Sequence, residues 1–161
     1  MQSLRRGTPV YLLAACAFLV SACGGDDDET AAATTAATET AAQQNACPVD
    51  GCTVEITDVE KSGSELRITW KTNFRPDFSK NHIHVYWDTY TAAEVSNDAA
   101  AKGETQGEWV PTGDFPAFVT EGVVSTSKRA GSTTVCVTAS DRDHNVLDAS
   151  IVDCEDVADL L

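Results

Sequence analysis

Leu66-Arg67-Ile68-Thr69-Trp70-Lys71 alternates apolar and polar side chains without a break. A period of two places Leu66, Ile68 and Trp70 on one face of a strand and Arg67, Thr69 and Lys71 on the other. The turn-forming run Lys61-Ser62-Gly63-Ser64 precedes it, and before that turn Val54 and Ile56 alternate with Glu55 and Thr57. Downstream, His82–Tyr90 reads as a third strand, with Ile83, Val85 and Trp87 on one face. His82, His84, Tyr86 and Asp88 form its other, outward face. Further strands are expected at Glu108–Pro111, Ala117–Ser127 and Thr133–Ser140, and a last one near Ala149–Cys154. One helix is expected between them: Thr91-Ala92-Ala93-Glu94 has capping-box spacing, and Gly103 can end it.

About seven short strands, with a tryptophan in the second and turns between them, predict a mainly β fold. The expected form is a two-sheet antiparallel sandwich with one short helical insertion. Leu66-Arg67-Ile68-Thr69-Trp70 as second strand and Gly131-Ser132-Thr133-Thr134-Val135-Cys136-Val137-Thr138-Ala139 as sixth resemble an immunoglobulin-like or fibronectin type III-like domain. The resemblance covers about residues 53–154. It departs from the family in lacking the usual tyrosine on the sixth strand and in the insertion. Asn81-His82-Ile83-His84-Val85-Tyr86-Trp87-Asp88 also resembles a segment of uncharacterised exported actinobacterial proteins, a likeness that carries no function.

The N-terminus predicts where such a domain resides. Arg5 and Arg6 precede an apolar run, Val10–Val20, which as a helix rises about 16 Å, half of a bilayer's hydrocarbon core of roughly 30 Å. That is the layout of a secretory signal. The run closes in Leu19-Val20-Ser21-Ala22-Cys23, which resembles the bacterial lipobox. The resemblance implies a signal peptide over residues 1–22, cleavage after Ala22 and diacylglycerol on Cys23. The chain then belongs on the outer face of the cell membrane, held in the bilayer by its acyl chains. Residues 23–45 follow as a tether: Asp26-Asp27-Asp28-Glu29, then an Ala/Thr-rich run with no large apolar residue to bury. The sandwich domain occupies residues 46–161.

Charge and cysteine content fit this placement. The chain has 25 acidic against 11 basic residues and a formal net charge of −14. Losing Arg5 and Arg6 with the signal leaves it more acidic still, which argues against nucleic acid as a partner. Of six cysteines, Cys16 leaves with the signal and Cys23 is lipidated. Cys47, Cys52, Cys136 and Cys154 remain, an even number suited to disulfides in an exported chain. The favoured pairing is Cys47–Cys52, closing the turn Pro48-Val49-Asp50-Gly51, with Cys136–Cys154 joining the last two strands.

One constellation invites chemistry. His82 and His84, two apart on a strand, project from the same face about 7 Å apart. His144 lies in Asp141-Arg142-Asp143-His144-Asn145, between the sixth and seventh strands. In an immunoglobulin-like sandwich that loop and the start of the third strand meet at one end. The three imidazoles can converge there on zinc or copper, with Asp141 or Asp143 nearby. Equally, a half-exposed strand face carries such residues without any ion. Asp141-x-Asp143-x-Asn145 also copies the start of an EF-hand loop, but Val146 stands where glycine belongs. Trp87, Trp109, Phe115 and Phe118 are candidates for a glycan-binding groove or for core. No nucleophile elbow, phosphate loop or zincin helix is present, so no catalytic residue is assigned and the chain reads as a non-enzyme. Two readings result: a non-catalytic module binding a protein or glycan partner, and a metal-binding lipoprotein using three histidines.

Overall fold

A computed structural model describes residues 46–48 and 50–161. The expected signal peptide, the expected tether, Cys16 and Cys23 lie outside the described residues. Seven strands run in order as β1 (Val54–Ser62), β2 (Glu65–Thr72), β3 (His82–Trp87), β4 (Val110–Thr112), β5 (Ala117–Val119), β6 (Thr134–Ser140) and β7 (Val152–Asp156). They form two antiparallel sheets, β1-β2-β5 and β4-β3-β6-β7. This is the expected sandwich, with the Trp70 strand second and the Cys136 strand sixth.

The alternation in β2 produces the core. Leu66, Ile68 and Trp70 are buried between the sheets against Ile83, Val85 and Trp87 of β3, Val135, Val137 and Ala139 of β6, and Phe118 of β5. Each large side chain removed from water there contributes about 1.5–3 kcal/mol. Trp87 and Phe118 are thus core residues rather than groove walls. Both expected disulfides form: Cys47–Cys52, and Cys136–Cys154 across the β6–β7 ladder.

The β1–β2 register shifts between Ile56 and Asp58. At that irregularity the Ile56 N–H donates to the Asp153 carboxylate on β7, 2.7 Å away. Asp153 therefore links the edge strand of one sheet to the edge strand of the other.

The outward face of β3 differs from expectation. His82, His84 and Tyr86 are buried, not half-exposed, because residues 90–109 and the β6–β7 loop fold over them. Tyr86, Ala92, Val95, Cys136 and Val146 make a second apolar cluster there, edged by Tyr90 and Trp109. The Thr91–Glu94 capping box closes: the Glu94 carboxylate accepts from the Thr91 N–H at 2.7 Å, and the Glu94 N–H donates to Thr91 Oγ1 at 3.4 Å. No α-helix follows it. The insertion consists of turns and one short 3-10 helix, Ala100–Lys102, ended by Gly103 with a φ of 85°. The stretch expected as a strand over Ala117–Ser127 holds β5 and a 3-10 helix, Gly122–Val124, with another at Thr126–Lys128.

Candidate metal centre

One strand and one loop deliver the histidines. His82 and His84 sit on β3, held in register against β6 by the pairs His82–Ser140 and His84–Thr138. His144 arrives on the β6–β7 loop. Asp141 Oδ1 accepts from the Asp143 and Asn145 N–H groups at 2.8 and 2.9 Å, and the His144 N–H donates to the Asp141 carbonyl. This tight turn places His144 at a φ of 63°, in the left-handed region. The insertion pins it from outside: the Asn97 N–H donates to the His144 carbonyl at 2.9 Å and the Val146 N–H to Ser96 Oγ at 2.9 Å.

The three histidines converge as the sequence suggested. One ring nitrogen from each lies within 4.8 Å of the others. His82 Nε2 is 2.9 Å from His144 Nδ1. The remaining nitrogens of the two strand histidines face backbone carbonyls: His82 Nδ1 that of Lys80 at 3.2 Å, His84 Nδ1 that of Val95 at 2.7 Å. Only an N–H satisfies a carbonyl, so each Nδ1 carries the proton and each Nε2 presents a bare lone pair to the cluster.

His84 Nε2 is buried and makes no hydrogen bond. Leaving such a group unsatisfied costs about 1–3 kcal/mol. Trp70 Nε1, Trp87 Nε1 and Arg129 Nε also lack partners. Those three are donors outside the histidine group, whereas His84 Nε2 is an acceptor inside it.

Electrostatics keep the two strand imidazoles in their ligating form. Burial pushes His84 down to about 3, against the pull of the Val95 carbonyl. Burial lowers His82 as well, with the Lys80 carbonyl opposing and His144 reinforcing the shift. At Asp141, burial acts upward, but hydrogen bonds from Asn145 and Asp143 outweigh it and hold the carboxyl below its ordinary value. Its oxygens are engaged by that loop's own amides, including Asn145 Nδ2 at 3.2 Å.

Aromatic rings bracket the cluster. Phe78 lies 5.3 Å from the His82 ring and 5.6 Å from His144, and Trp109 stacks on His84 at 5.1 Å. Phe78 escapes a reading of the sequence because it belongs to a short loop without periodicity. Trp109 was noticed, but as a groove or core residue. Phe115 stands apart, exposed, with the Arg75 guanidinium over its ring at 4.6 Å. The four proposed groove aromatics are therefore dispersed.

Compared with protein-family models, with curated proteins and with solved structures, the chain gives no significant match.

Proposed function

We propose that this protein is a metal-binding lipoprotein of the cell exterior, whose sandwich domain holds zinc or copper through His82 Nε2, His84 Nε2 and a ring nitrogen of His144. The observation that carries this reading is the buried, unpartnered lone pair of His84 Nε2, on a ring grouped with two other imidazoles. A purely structural cluster would be served better by apolar side chains, which leave no lone pair unsatisfied. All-imidazole sets suit zinc and copper and offer calcium or magnesium little.

The two disulfides fit an oxidising, extracytoplasmic compartment. Among the described residues no helix is long and apolar enough to cross a membrane, and acylated Cys23 supplies the attachment in this proposal. The role is binding rather than catalysis. A glycan or protein-recognition role has less support, because Trp87 and Phe118 are committed to the core and Trp109 to His84.

Metal analysis of the whole chain, purified without a histidine tag, tests the reading. The wild type should retain close to one equivalent of zinc or copper after dialysis, and His84→Ala should retain almost none. A wild type that returns metal-free after exposure to both ions overturns the proposal.

A further inference from the structure

The three histidines leave a metal one ligand short. Zinc and copper held by imidazoles favour four-coordinate geometry, and sites with three protein ligands keep a position for a molecule from outside. No carboxylate belongs to the ligand group, and the nearest acidic loop residue, Asp141, spends its oxygens on the amides of Asp143 and Asn145. Charge points to what completes the set. Three neutral imidazoles would leave a divalent ion with both positive charges, in surroundings where His82 and His84 are wholly buried. An unneutralised buried ion is costly, and an anion in direct contact offsets that cost.

A cleft opens beside the cluster. His144, the least buried of the three, lines an open cleft of about 310 Å³ together with Asn97, Glu108, Trp109, Pro111 and Val123. Trp109, which stacks on His84, forms its wall. On another side Phe78 covers both His82 and His144. The walls Trp109, Pro111 and Val123 are apolar and suit a short hydrocarbon tail, while Glu108 disfavours an anion of more than one charge.

Resting on the metal reading above, we infer that the metal's fourth position takes a small monodentate anion of the monocarboxylate class, which enters through the Trp109 cleft. The cleft is a binding site in its own right once the ion is present.

The test uses the untagged full chain loaded with cobalt(II), whose visible bands report coordination, in chloride-free buffer. Azide and acetate serve as probes. The bands should shift saturably with each. Val123→Trp, which narrows the cleft at a position outside the histidine group, should keep its cobalt but bind azide roughly tenfold more weakly, or worse. Retained cobalt with a spectrum unmoved by excess azide would overturn the inference while leaving the metal reading intact. Unchanged azide affinity in Val123→Trp would overturn the cleft as its route. Absence of a cobalt spectrum together with failure to retain zinc or copper would remove the metal reading, and this inference with it.

Discussion

His82 and His144 are 62 positions apart in sequence, yet their ring nitrogens Nε2 and Nδ1 meet at 2.9 Å. Because His82 Nδ1 is the donor to the Lys80 carbonyl, His82 Nε2 accepts, and the shared proton belongs to His144 Nδ1. In the metal-free chain, long-range proton–nitrogen spectra should show His82 and His84 protonated at Nδ1 and bare at Nε2. Zinc should abolish the bond from His144 to His82, because the metal claims the His82 lone pair. A His82 found protonated at Nε2 in the free protein would contradict the ligand assignment.

Acid should weaken the metal-free fold. His84 is held neutral down to about 3 when folded but takes a proton near 6.5 when unfolded. Below 6.5 the unfolded chain therefore binds more protons, so this contribution to stability is complete above 6.5 and declines as pH falls toward 3. The slope from this one group approaches about 1.4 kcal/mol per pH unit within that window. Urea midpoints of chelator-treated protein at neutral and mildly acidic pH measure it. His84→Gln, which cannot titrate, should flatten the dependence.

Ser96 joins the insertion to the histidine loop by accepting the Val146 N–H in a buried position. Ser96→Ala leaves that N–H unsatisfied, at about 1–3 kcal/mol of stability. It also loosens the support of His144, so metal affinity should fall by roughly 10- to 100-fold, as for other supports around metal ligands. Calorimetric metal titration beside thermal melts separates the two effects. An unchanged affinity would mean that His144 is held by its own turn alone.

The Cys136–Cys154 bridge closes a sequence separation of 18. Replacing both cysteines by alanine should lower unfolding free energy by about 3 kcal/mol. Loss of β7 should follow at lower denaturant than loss of β2, which hydrogen exchange resolves residue by residue.

Cys23→Ser should move the protein from the membrane fraction to the soluble one. A variant that stays membrane-bound would refute attachment through this residue.

The two-sheet sandwich was legible because period-two alternation in β2 and β3 survives intact in the fold, and each strand buries the face its pattern marks. The disulfides were legible because one pair closes a short turn and the other joins neighbouring strands. The second face of β3 was not. His82, His84 and Tyr86 read as solvent-facing, and local pattern does not reveal that residues 90–109 cover them. The missing helix has the same origin. Val95 O, which a helix would direct along its own axis, accepts from His84, and the Asn97 N–H goes to His144 instead of one turn back. Local capping was satisfied; tertiary partners took the next bonds. Convergence of the histidines could be anticipated from loop placement, whereas their burial and fixed tautomers required the fold.

The contact between Asp153 and Ile56 has a consequence for how copies of the chain coexist. Where copies of a sheet protein crowd together, an unpaired strand margin invites its neighbour to zip alongside. Here the donor that β1 would offer at its irregularity is already engaged by Asp153, and β7 presents Glu155 and Asp156 to solvent next to it. An inward carboxylate with a row of like charges is how sheet margins resist such pairing. Copies of the domain can thus be packed closely and still remain separate molecules.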